Sequence, residues 1–220
     1  MLYALDDNGE KIEAQPKQKE ICPFCKCPVI AKCGNIYIWH WAHVSKGFCD
    51  DWHESESEWH IAWKSLFPKE CVEVSLGEHR ADVVTKSGIV IEFQHSTISG
   101  MEIKEREKFY GERMMWVIDG EPFIYRLYFS AIFYLKRSRI IGNWRGDNLA
   151  RAMKFRWERI RSCWLQSSRP KFIDIKTIPS PHIDRPAHDA DKHETLFYWK
   201  YGNEGLLVEK QRFIDKYACE

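Results

Sequence analysis

Two acids in an apolar, strand-like stretch, Asp82 and Glu92, are the first residues whose placement suggests chemistry. The runs 71–76, 80–85 and 89–94 are rich in Val and Ile, and Lys86-Ser87-Gly88 reads as a turn between the second and third. A hairpin closed at that turn brings Asp82 and Glu92 together from facing strands. Along 89–94 the side chains alternate. Ile89, Ile91 and Phe93 share a core-facing side, and Val90, Glu92 and Gln94 share the other. A carboxylate buried in an apolar strand is costly unless something compensates its charge. A divalent cation does so, and the oxygens of Asp82 and Glu92 suit Mg²⁺ or Mn²⁺. The plainer alternative is that Glu92 faces solvent and Asp82 pairs with His79 or Arg80.

A second constellation lies upstream. Cys22, Cys25, Cys27, Cys33 and Cys49 crowd the first fifty residues, while Cys71, Cys163 and Cys219 are scattered. Cys22-Pro23-Phe24-Cys25 is a knuckle whose tight turn aims two thiolates at one point. His40-Trp41-Ala42-His43 adds two imidazoles. Cys22, Cys25, His40 and His43 together offer the four N and S ligands of a closed, structural Zn²⁺ site. Cys27, Cys33, Cys49 and His53 are alternatives for one of the four.

These groups need elements to hold them. Residues 1–20 are polar and read as an extended lead-in with one short strand. Residues 51–67 carry a helical pattern, with Trp52, Trp59, Trp63, Leu66 and Phe67 on one stripe and Pro68 as the stop. Of the three glutamates there, only Glu56 falls inside the stripe; Glu54 and Glu58 fall outside it. A helix over 100–112, a buried strand over 114–118, strands near 172–175, 195–201 and 205–208, and a closing helix near 210–217 complete the pattern. The order is that of an α/β fold with a mixed sheet and flanking helices. Three segments are expected: 1–50 with the zinc knuckle, 51–124 as the core, and 125–220. The last combines a basic, aromatic helical region with a small β-rich C-terminal piece. In 136–171, basic residues including Arg156 and Arg159 interleave with Trp144, Phe155, Trp157 and Trp164, a mixture that suits phosphate tracking and base stacking. Residues 177–194, with three Pro and three His, read as a surface loop.

Composition narrows the class. At 220 residues, 44% hydrophobic and 30% charged, the chain is long enough to bury a core without staples. Its net charge of +1 favours no partner by itself. No run is apolar for the length of a membrane span, and the first residues do not form a signal peptide. A cytoplasmic protein with reduced cysteines is expected, with no membrane partner.

Several short strings, taken in order, resemble the CoiA-like competence proteins, a branch of the PD-(D/E)XK nuclease superfamily. They are Cys22-Pro-Phe-Cys25, His40-Trp-Ala-His43, Glu56-Ser57-Glu-Trp-His60 with Lys64, His79-Arg80-Ala81-Asp82-Val83, Glu92-Phe-Gln94-His-Ser96, Ile98-Ser99, and Arg106 with Tyr110. The resemblance is good over about 20–120 and looser beyond. It implies a restriction-endonuclease-like core and a metal-dependent DNA nuclease. Asp82, Glu92 and Gln94 would stand for the acid, acid and lysine of the D…E-x-K motif. Glu56 would support the catalytic Mg²⁺ or Mn²⁺. His60, Lys64, His79, Arg80 and Arg106 would contact DNA, as would Arg156 and Arg159 of the basic stretch. Gln94 carries no positive charge where the motif has lysine, so the alternative is an inactive, zinc-stabilised DNA-binding module. Partners in a DNA-processing or defence pathway are compatible with either reading.

Overall fold

The polar lead-in, expected to hold one short strand, folds into three. A computed structural model of the chain describes residues 1–45, 49–52, 56–131, 151–158, 161–175, 195–201 and 204–218. Met1–Ser96 form one unit and Thr97–Cys219 a second.

The first unit begins with β1 (Tyr3–Leu5), β2 (Lys11–Glu13), β3 (Lys19–Ile21), β4 (Pro28–Lys32) and β5 (His40–His43). They form an antiparallel sheet in the order β2-β1-β3-β4-β5. Its core is small: Met1, Ala4, Ala14, Cys22, Val29 and Trp41, with cysteines among the side chains packed on it. The Trp41 indole donates to the Ile12 carbonyl and closes the sheet across its width.

Helix α1 (Glu58–Lys64) is shorter than the pattern over 51–67 predicts. Ser57 is its N-cap, and the Ser57 hydroxyl accepts from the His60 amide. Glu56 and Trp52 therefore lie outside the helix, and Leu66 is partly exposed at 38%. Residues 53–55, with Glu54 and His53, lie outside the described residues. The strands β6 (Val72–Leu76), β7 (His79–Val84) and β8 (Val90–Gln94) follow as an antiparallel meander. The β7–β8 turn is closed by the Thr85 amide on the Ile89 carbonyl, with Gly88 at φ 77°. Every residue of β8 is buried, so the polar side expected for Glu92 and Gln94 is interior too.

The second unit holds α2 (Gly100–Tyr110), β9 (Met114–Asp119), β10 (Leu127–Ala131), β11 (Arg151–Trp157), β12 (Lys171–Asp174), β13 (Thr195–Tyr201), β14 (Glu204–Glu209) and α3 (Lys210–Ala218). Its strands run in the order β10-β11-β14-β13-β12-β9, with β9 and β12 parallel and the other pairs antiparallel. The sheet is mixed, as expected, and the helices are few. Residues 151–157, assigned above to a helical region, are a strand. Within the basic stretch, 136–150 and 159–160, with Arg159, lie outside the described residues, as does the His-rich segment 176–194. A buried carboxylate ties this unit together. Glu107 on α2 accepts from the Trp116 indole, from both serine hydroxyls of Ser167-Ser168 and from the Ser168 amide.

Candidate metal centre and carboxylate cluster

The knuckle forms as its spacing requires. The Cys22 amide donates to the Cys27 carbonyl and the Lys26 amide to the Cys22 carbonyl, with Lys26 in the left-handed region at φ 60°. The turn sets Cys22 and Cys25 side by side. His43 and Cys49 complete a group whose four ligand atoms all lie within 4.8 Å of one another. Cys25 Sγ is 3.2 Å from His43 Nε2, and Cys22 Sγ is 4.0 Å from Cys49 Sγ. Bonds of about 2.0–2.3 Å around a tetrahedral Zn²⁺ put ligand atoms roughly 3.3–3.8 Å apart, so the donor set and its spacing fit the ion. This cluster could hold a metal such as zinc.

His40, expected as the fourth ligand, is replaced by Cys49. The cause is the element that carries the histidines. On a helix, residues three apart share a face; on a strand they do not. His40 and His43 sit on β5, so His43 shares a side with the buried Trp41, while His40 turns the other way and its Nδ1 donates to the Ile38 carbonyl. Burial, helped by the nearby Arg80 charge, pushes the His43 imidazole down and favours its neutral, ligating form. Burial pushes the Cys49 thiol up to about 12, so a metal must displace its proton on binding.

The segment after Cys49 fastens this centre to β7. Asp50 accepts from His79 Nδ1 at 2.8 Å and from the Arg80 amide at 2.6 Å, and the Trp52 ring stacks on His79 at 3.3 Å. Arg80 is half-buried beside Glu73 and Glu56; although burial opposes its charge, these carboxylates hold its proton more firmly than usual. His79 and Arg80, expected to contact phosphate, are thus engaged within the chain.

Two residues along, Asp82 enters the acid cluster. The register Val83↔Ile91, continued by one pair, sets Asp82 opposite Glu92. Each acid accepts from the other strand: the Asp82 amide donates to Glu92 Oε1 at 3.2 Å, and the Phe93 amide to Asp82 Oδ2 at 2.9 Å. Lys64, at the end of α1, is buried at the centre. Its Nζ lies 2.8 Å from Asp82 Oδ1, 2.8 Å from Glu56 Oε1 and 3.4 Å from Glu73 Oε1. Burial disfavours all these charges, yet mutual attraction wins. The Lys64 ammonium holds Glu56, Glu73 and Asp82 below the usual carboxylate range, and they hold Lys64 above the usual amine range.

Glu56 therefore reaches the cluster from the residue before the N-cap, not from the helix, and Glu58 is exposed. The Glu56 side chain is 7% exposed, and its Oε2 is buried with no hydrogen-bond partner among the described residues. Asp82 keeps 20% exposure, which leaves a way in for a ligand. His60, buried on α1, takes the Ser57 hydroxyl at Nδ1 and donates from Nε2 to the Phe93 carbonyl. Gln94 is buried, and its amide reaches the Ser96 carbonyl at 3.4 Å.

Glu73 went unnoticed in the sequence. It sits on β6 at φ 52°, is wholly buried, and accepts from the amides of Leu2 and Tyr3 while facing Lys64. Val72-Glu73-Val74 looks like an ordinary edge position, and no local signal marks the left-handed backbone. In the second unit, Arg106 is buried on α2 and pairs with Glu102 at 2.6 Å. Arg156 lies on β11.

Two family models match the chain. Competence protein CoiA, N-terminal domain, covers residues 5–51, which contain the last residue of β1, the strands β2–β5 and all four residues of the cysteine–histidine cluster. Competence protein CoiA, nuclease-like domain, covers 71–127, which contains Glu73, Asp82, Glu92 and Gln94. No curated protein and no solved structure matches. No helix among the described residues is long and apolar enough to cross a membrane.

Proposed function

Because the chain belongs to the CoiA-like competence protein family and carries its nuclease-like domain, we propose that it is a metal-dependent DNA nuclease built on a PD-(D/E)XK core. The observation that carries this reading is the Asp82–Glu92 pair across β7 and β8 with Lys64 Nζ 2.8 Å from Asp82. The donor set fits a hard cation: carboxylate oxygens of Asp82 and Glu92, with Glu56, whose Oε2 has no hydrogen-bond partner among the described residues, joined to Asp82 through Lys64. When bound there, Mg²⁺ or Mn²⁺ would polarise the scissile phosphate, lower the pKa of a water and stabilise the leaving oxygen.

The chain's own residues divide the remaining work. Lys64 supplies the positive charge that Gln94 lacks, and it does so from α1 rather than from the strand. Its ammonium, 2.8 Å from Asp82 Oδ1, would face a phosphate oxygen held at that carboxylate. Gln94 can orient a water or a phosphate by hydrogen bonding. His60 fixes the Phe93 carbonyl and with it the strand between the two motif positions. The Cys22–Cys25–His43–Cys49 centre is a closed, structural zinc site in this reading.

A second reading has its own support. Both Asp82 oxygens already have partners within the chain, Lys64 Nζ and the Phe93 amide, as they would in an inactive DNA-binding module. Plasmid and single-stranded DNA incubated with Mg²⁺ or Mn²⁺ separate the two. Cleavage by the parent, and its loss by 100-fold or more in folded Asp82→Ala and Glu92→Ala variants, is expected; unchanged cleavage in either variant places the site elsewhere.

A further inference from the structure

The loop between β4 and β5 departs from the usual placement of apolar side chains. Ile36, Tyr37, Ile38 and Trp39 are consecutive, and they are 81%, 68%, 41% and 47% exposed. The Trp39 indole donates to the Gly34 carbonyl at 3.2 Å, which pins the ring while leaving much of it open. Four adjacent large apolar residues on the surface mark a contact site rather than chance exposure.

Charge identifies the kind of partner. The chain has 32 acidic residues, yet none between positions 21 and 49. Over that span Lys26 and Lys32 are exposed, and Lys32 pairs with His40 across the mouth of the hairpin. An acid-free, lysine-bearing strand pair tipped with exposed Tyr and Trp matches a phosphate backbone with unstacked bases. The base of the hairpin also adjoins the acid cluster. Trp41 of β5 bonds to the backbone of Met1 in both directions, and the Met1 amino group lies 3.7 Å from Glu56 Oε1.

We propose that the β4–β5 hairpin is a finger for single-stranded nucleic acid, with Tyr37 and Trp39 stacking on bases and Lys32, at the end of β4, meeting a phosphate. Stacking of this kind tolerates any sequence. The proposal gives the nuclease reading a strand form for its substrate and rests on that reading for its part in turnover, but not for binding.

The test is fluorescence anisotropy of the full chain with a labelled single-stranded DNA oligonucleotide, an RNA of the same sequence and a duplex, without added divalent ion. Tyr37→Ala with Trp39→Ala should weaken single-strand binding tenfold or more, with metal content and thermal unfolding unchanged. Lys32→Ala should lower the slope of log affinity against log salt by about 0.7, the value for one phosphate contact on a single strand. Equal affinity for the RNA supports a general single-strand finger, and preference for DNA narrows it. Unchanged binding in the double variant overturns the proposal. So does a parent that binds no oligonucleotide, including one that sediments as a dimer broken by Ile36→Ser, where a second copy covers the loop. Asp82→Ala separates the two ideas: it should keep single-strand binding and lose cleavage. Binding without cleavage in the parent defeats only the nuclease reading, and cleavage with binding indifferent to the finger defeats only this one.

Discussion

Lys64 is the residue on which the acid cluster turns. Breaking a buried ion pair by removing one partner typically costs about 3–5 kcal/mol, because the remaining charge loses its compensation. Lys64→Met should therefore destabilise the fold by about that amount, read from the urea midpoint at neutral pH. The pH dependence has a definite sign. Glu56, Glu73 and Asp82 titrate below their ordinary values of 4.5, 4.5 and 3.8 in the fold. Their contribution is thus present above those values and lost as pH falls through the lower, folded ones. The parent should lose stability steeply below about pH 4.5, and Lys64→Met much less so. Sequence reasoning found Glu56 by a helical stripe that does not exist there; the residue is in the cluster because the chain turns inward before Ser57. Glu73 escaped notice because its placement depends on a positive φ, which the letters around it do not encode.

At the level of elements, the metal ligands were legible as residue types and not as a geometry. A knuckle is a local motif, so Cys22 and Cys25 could be placed from spacing alone. The histidine pair could not, since its meaning changes between helix and strand. Alternation on β5 leads to a sharp expectation: His43→Ala and Cys49→Ala should each lower bound zinc well below one ion per chain, whereas His40→Ala should leave it unchanged. Elemental analysis of protein purified without added metal reads this directly. The strand at 151–157 was obscured for a different reason. Met153, Phe155 and Trp157 alternate with Lys154 and Arg156, a period of two, but the density of basic residues drew attention to charge instead of period.

For the molecule as a whole, length was a poor guide to what needs support. A chain of 220 residues can bury a large core, but β1–β5 pack on six fully buried side chains, and three of the five strands have three residues each. An element of this size is where a bound metal contributes folding free energy. Chelation should lower the thermal unfolding temperature and open 22–49 to proteolysis, and added Zn²⁺ should reverse both; a chelated protein that melts as before would exclude a structural metal. The strands β6 to β9 and the acid pair were readable because each rests on local patterning. The clamp of Asp50 onto His79 and Arg80 was not, because it joins positions about thirty apart with no periodic signal.

The crossed bonds between β7 and β8 carry a further consequence. Beyond Val83↔Ile91 the Asp82 and Phe93 amides are held by carboxylates rather than by carbonyls. A rung made by a carbonyl is indifferent to acid and to ions. These two are not: protonating an acid, or drawing it toward a cation, loosens the amide that rests on it. Exchange of those two hydrogens with deuterated solvent is thereby tied to the state of the carboxylates, so the end of the ladder reports on what occupies the cluster.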